Sequence, residues 1–124
     1  MGPRAEDAYH SLVELDDSYL PELMEAFKQE PRPQIQAVLV EIIWQHRSAE
    51  TLPFLQELLG HYHSDVWKTA LDGIVAINHP QGIQILADER ARLQAFNNKT
   101  ARERLEWIDE AYEQLQDGLS HTVS

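Results

Sequence analysis

A chain of 124 residues, 43% of them hydrophobic, has apolar surface enough for one compact domain and too little length for a second. Its 10 Lys and Arg stand against 21 Asp and Glu, a formal charge of −11 that repels naked nucleic acid and anionic membrane and attracts a basic protein. With no cysteine, a disulfide framework, thiolate catalysis and cysteine-based zinc sites are excluded. No apolar run approaches the roughly 18 residues of a membrane span, and MGPRAEDAYH lacks a basic flank followed by a hydrophobic run. The expectation is a soluble, cytoplasmic protein without a membrane partner.

Taken in order, the elements are all helical. A first helix is expected near residues 4–14, followed by Asp16-Asp17 as a helix-start signal and Ser18 as a cap. Apolar residues then recur at spacings of three and four: Leu20, Leu23, Met24 and Phe27; Ile35, Val38, Leu39, Ile42 and Ile43; Leu52, Leu55, Leu58 and Leu59. The pattern continues in Val66, Ala70, Leu71, Ile74 and Val75, in Ile83, Ile85 and Leu86, and in Leu105, Ile108 and Leu115. Ser64 and Asp65 are candidate caps for the helix holding Trp67, and Pro80 sits where a first turn tolerates proline. Short breakers separate the runs, giving about seven helices with short links.

LPELMEAF at 20–27 and LPFLQELL at 52–59 expose an internal repeat. A shift of 32 lays Leu20, Pro21, Leu23 and Phe27 on Leu52, Pro53, Leu55 and Leu59, and Val38, Leu39, Ile42 and Ile43 on Ala70, Leu71, Ile74 and Val75. A shift of 31 lays Leu52, Phe54 and Leu55 on Ile83, Ile85 and Leu86, and one of about 34 lays Leu71 and Ile74 on Leu105 and Ile108. Self-similarity at this period, each unit a helix, a turn and a helix, predicts an all-α fold, an α-solenoid of stacked antiparallel helix pairs. The expected organisation is a single domain over 1–124, with an N-terminal cap over 1–17, repeats over 18–95 and a C-terminal capping helix and tail over 96–124.

SDVWKTALDGIVAI, residues 64–77, resembles the second helix of a HEAT-like repeat, with an acidic cap, an apolar-aromatic pair, a cation and then Ala-Leu-x-x-Ile. The resemblance covers residues 19–95 best. It departs from the family at Lys68, where arginine is frequent, in the absence of a matching cation in QIQAVLVEII, and in a longer, more polar last helix. It implies a right-handed stack of helix pairs with a binding surface lined by second helices, of the kind found in small stand-alone bacterial proteins. Some of those are immunity proteins that block a toxin, others lyases or adaptors.

Projected at 100° per residue, the helix at 35–46 turns Ala37, Val40, Glu41 and Trp44 away from its apolar stripe. The equivalent positions are Asp65, Thr69, Asp72 and Ala76 in the next unit and Lys99, Glu103, Glu106 and Glu110 in the last helix. The expected protein-binding face therefore comprises Val40, Glu41, Trp44, Thr69, Asp72, Glu103, Glu106 and Glu110, an aromatic anchor beside steering charges. Trp44 has a second placement, packed under the N-terminal helix, while Trp67 and Trp107 are assigned to the core. The helix at 35–46 is expected to be the central element.

Glu103, Glu106, Asp109, Glu110, Glu113 and Asp117 read either as a polyanion mimic for a basic cleft or as a solvated face balanced by Arg102 and Arg104. His61-Tyr62-His63 with Asp65 and His79 has only weak metal-ligand spacing, and phosphate-loop, dinucleotide and nucleophile-elbow patterns are absent. The reading is a non-catalytic protein-binding module without cofactor or metal. Its most specific form is an immunity-type inhibitor capping a basic toxin domain. The alternatives are an adaptor or scaffold that self-associates as a homodimer through the Trp44 face, and an enzyme related to bilin lyases.

Overall fold

The computed structural model describes residues 19–122, with side chains to Ser120. The chain order is α1 (Leu20–Gln29), α2 (Pro33–Gln45), a 3-10 turn (Ala49–Thr51), α3 (Leu52–Leu58), α4 (Ser64–Ile77), α5 (Pro80–Gln94) and α6 (Lys99–Thr122). The helix expected near 4–14 and the cap at Ser18 lie outside the described residues.

Proline and polar punctuation explain where these helices begin. Pro21, Pro33, Pro53 and Pro80 each occupy a first turn, where the missing N–H would have no intrahelical partner. Histidine takes the place of the usual capping residue at two starts. His63 Nδ1 accepts from the Asp65 N–H at 3.3 Å, and His79 Nδ1 accepts from the Gln81 N–H at 3.0 Å. The cap of α4 is thus His63, one residue before the expected Ser64, which opens the helix instead. At the other ends Arg47 (φ 53°) and Asn78 (φ 54°) are left-handed, just after α2 and α4. They stand 31 positions apart, so the internal repeat of the sequence recurs as a repeat of backbone conformation.

The helices pack as three antiparallel pairs, α1 on α2, α3 on α4 and α5 on α6. Side by side, α2 packs on α4 and α4 on α6, so the second helices form one layer with α4 in the middle. This corrects the expected central role of α2. The reason is that α4 packs against both α2 and α6, whereas α2 packs against α1 and α4. A Cβ at Gly73 would lie 2.7 Å from Trp44 Cβ and Cγ, so α4 presents bare backbone to α2 and the two helices approach closely there.

That approach also rotates α2 relative to its expected stripe. Val40 and Ile43 are fully buried and Ile42 nearly so, with Ala37, Leu39 and Trp44 packed against the main core, while Ile35 and Val38 are exposed. The main cluster runs through Leu52, Leu55, Leu59, Val66, Ile74, Leu86 and Leu115. A smaller one holds Leu20, Leu23, Ile42 and Ile43.

The α3–α4 link carries a pH-sensitive contact. His61 Nδ1 accepts from the His63 N–H at 3.0 Å. Burial holds the His61 imidazole below its ordinary value of 6.5, and the nearby charges of His63 and Arg104 act in the same direction. A base with a depressed folded pKa contributes stability that is complete above its unfolded value and is lost as pH falls through the folded one. The melting temperature should therefore fall more between pH 7.5 and pH 5 in wild type than in His61→Gln. Equal falls in the two proteins would refute the assignment.

Candidate functional site

The exposed face of the second-helix layer is built where α4 meets α6. The buried stripe of α6 is Ala101, Ile108, Ala111 and Leu115, which leaves Glu103, Trp107 and Glu110 together on another stripe at spacings of four and three. Arg104 fixes this helix. Its Nη1 donates to the Leu59 carbonyl at 3.0 Å and its Nη2 to the His61 carbonyl at 2.7 Å, satisfying oxygens at the frayed end of α3. Its guanidinium lies 5.0 Å from the centre of the buried Trp67 ring, and burial together with Arg92 pulls its pKa below the ordinary arginine value.

Trp107 is 43% exposed, against the expectation that it packs in the core. It meets Trp67 edge to face at 6.0 Å, and the Lys68 ammonium lies 4.4 Å from its ring centre. The indole forms part of the wall of two hollows. One, about 220 Å³, lies towards Tyr62, Lys68 and Glu103. The other, about 80 Å³, has Leu71, Val75 and Ala111 in its walls and the polar groups of Asp72, Glu110 and Gln114 around it.

Asp72 is exposed, yet partial burial raises its pKa, and the Glu41 carboxylate on α2 raises it further. Among the described residues neither Asp72 nor Glu110 has an ion-pair partner, although Glu110 accepts from Gln114 Nε2 at 3.4 Å. A carboxyl with a raised folded pKa costs stability when ionised, a cost present at neutral pH and absent below the unfolded value near 3.8. Asp72→Asn should therefore raise the melting temperature at pH 7, with the gain vanishing by pH 3. A lower melting temperature for the variant at pH 7 would contradict this.

The eight expected face residues divide. Val40 is fully buried in the main core and cannot contact a partner in this fold, because α2 turns it towards α4 and α1. Trp44 is half-buried against Gly73 and is a packing residue, not an exposed anchor; its Nε1 is buried without an acceptor among the described residues. Glu41 is half-buried beside Asp72. Thr69 spends its hydroxyl on the Asp65 carbonyl at 2.6 Å. Asp72, Glu103, Glu106 and Glu110 are exposed, with Glu103 loosely paired to Lys99 at 3.9 Å.

Trp107 and Lys68 were missed as members of this face. The signal was present, since Trp107 follows Glu103 by four and precedes Glu110 by three, within the outward stripe already projected. The histidines of the α3–α4 link turn to backbone contacts through Nδ1, and among the described residues no three His, Asp or Glu side chains gather as metal ligands. Among the same residues no helix is long and apolar enough to cross a membrane.

Three antiparallel helix pairs with their second helices in one layer define an α-solenoid. The sequence pattern of HEAT repeats matches residues 20–107, well over half of the chain, and the chain belongs to that family. HEAT repeats are typically protein-interaction modules and generally not enzymes. No curated protein and no solved structure matches the chain.

Proposed function

We propose that this chain is a non-catalytic protein-binding module whose α4/α6 face takes a basic surface of its partner. The observation that carries the reading is the setting of Trp107, a large exposed aromatic between two hollows with the unpaired carboxylates of Asp72 and Glu110 beside it. Aromatic anchors dominate interface energetics, and rim charges set encounter rates. The chain's charge of −11 adds long-range attraction for a cationic surface.

An immunity-type inhibitor capping a basic toxin domain is one form of this function, and it rests on the acidic face alone. The test is a photo-crosslinking residue placed at Glu106 in the native cell, with a second at Gln84 on α5 as control. The expected result is an adduct from position 106 to a protein with a basic surface, lost with Trp107→Ala and, when the crosslinking is repeated in cell extract, formed less at higher salt. Adducts formed only from position 84, or adducts indifferent to Trp107→Ala, would overturn the reading. A complex of twice the chain mass, crosslinked through 106, would replace the foreign partner by a second copy.

A further inference from the structure

The smaller hollow is too confined for a cofactor or metabolite, whose sites run to roughly 300–1,000 Å³. At about 80 Å³ it has the scale of one side-chain end. Its walls are apolar on both helices, with Leu71 and Val75 from α4 and Ala111 from α6, and the Trp107 indole stands beside them. One carboxylate comes from each helix, Asp72 and Glu110.

We propose that this hollow receives a single arginine side chain of the protein partner, its stem on the apolar walls, its guanidinium flat against Trp107 and bonded to Asp72 and Glu110. Resting on the function proposed above, the assignment narrows it from a basic surface to one residue type. Charge complementarity selects a cation, because neither carboxylate is paired within the described chain. Shape selects arginine over lysine. A planar, weakly hydrated guanidinium stacks on an indole while donating sideways to two carboxylates, whereas a compact ammonium keeps its hydration and makes point contacts. The protein already sets one guanidinium over an indole, with Arg104 5.0 Å from the Trp67 ring centre.

The test uses the full chain labelled with 15N, titrated with a hexa-arginine amide and, separately, a hexalysine amide, reading the three tryptophan indole N–H resonances and the affinity. Asp72→Asn/Glu110→Gln is compared with Glu113→Gln/Asp117→Asn, which removes the same two charges from exposed positions elsewhere on α6. The expected result is a shift of the Trp107 resonance with hexa-arginine and a loss of about tenfold or more in affinity for the first variant. The second variant should lose less than about threefold. Equal losses in both variants would overturn the hollow and leave the basic-partner reading standing. Equal affinity and equal Trp107 shifts with hexalysine would overturn the choice of arginine. Absence of hexa-arginine binding at low salt would overturn both proposals. Thermal melts of each variant show that a lost affinity is not a lost fold, the first variant being expected to melt no lower than wild type.

Discussion

Gly73→Val should destabilise the chain by about 3 kcal/mol or more, measured by chemical denaturation with circular dichroism. Valine is the better helix former by several tenths of a kcal/mol, so propensity alone predicts a gain. Sterics reverse the sign. The new Cβ would lie 2.7 Å from Trp44 Cβ, an atom fixed to the backbone of α2, and no rotamer change removes that contact. The helices must separate, and the close packing between α2 and α4 is lost along their length. For the same reason Trp44→Ala should not rescue Gly73→Val, since alanine keeps the offending Cβ. Rescue would show that the indole ring, rather than helix separation, sets the cost.

Ile74→Ala should cost about 3–5 kcal/mol, because Ile74 is fully buried in α4, the helix with neighbours on both sides of its layer. Ile42→Ala, in the smaller cluster, should cost nearer 2 kcal/mol. A partner substitution checks the geometry at Ile74. A Cβ on Gly82 of α5 would lie 3.2 Å from Ile74 Cγ2 and 2.8 Å from Leu115 Cδ2, the mobile end of a side chain. Gly82→Ala should therefore destabilise wild type more than it destabilises Ile74→Ala, where the methyl it meets is gone. The coupling should be about 0.5–1 kcal/mol. Strict additivity would mean that the two positions do not share this junction.

The repeat was legible because it is written in residue types with strong local meaning: prolines at helix starts, apolar residues at three and four, and a spacing of 31 to 32 that aligns them. The rotation of each helix was less legible. Ile35 and Val38 are as apolar as Val40 and Ile43, so periodicity alone cannot choose between their arcs. The choice is made by Gly73, 33 positions beyond Val40 and in the fold's central helix, which lets α2 settle on its Val40 side. A glycine inside a strong helical pattern is a sign of close approach, and it was the available clue. Trp107 illustrates the opposite error. Hydrophobicity assigned it to the core, while its spacing from Glu103 and Glu110 placed it on the outward stripe, and the spacing was right. Asp72, Glu103, Glu106 and Glu110 came from that same projection and are exposed. The pairing of Asp72 and Glu110 about one hollow depends on the contact between α4 and α6, which local sequence does not encode.

The division of the core sets an order of opening. Leu20 and Leu23 of α1 share their cluster with Ile42 and Ile43, with Met24 and Phe54 packed against it, and α1 itself reaches the main cluster through Phe27, edge-on to Phe54 at 5.3 Å. The amides of α1 should exchange with deuterium by a local excursion, well before those of α4 and α5, which exchange only when the whole solenoid melts. Such an excursion leaves Trp107, Asp72 and Glu110 in register, because their positions are fixed by α4, α5 and α6. The end that carries the proposed binding face is thus mechanically insulated from the end that breathes.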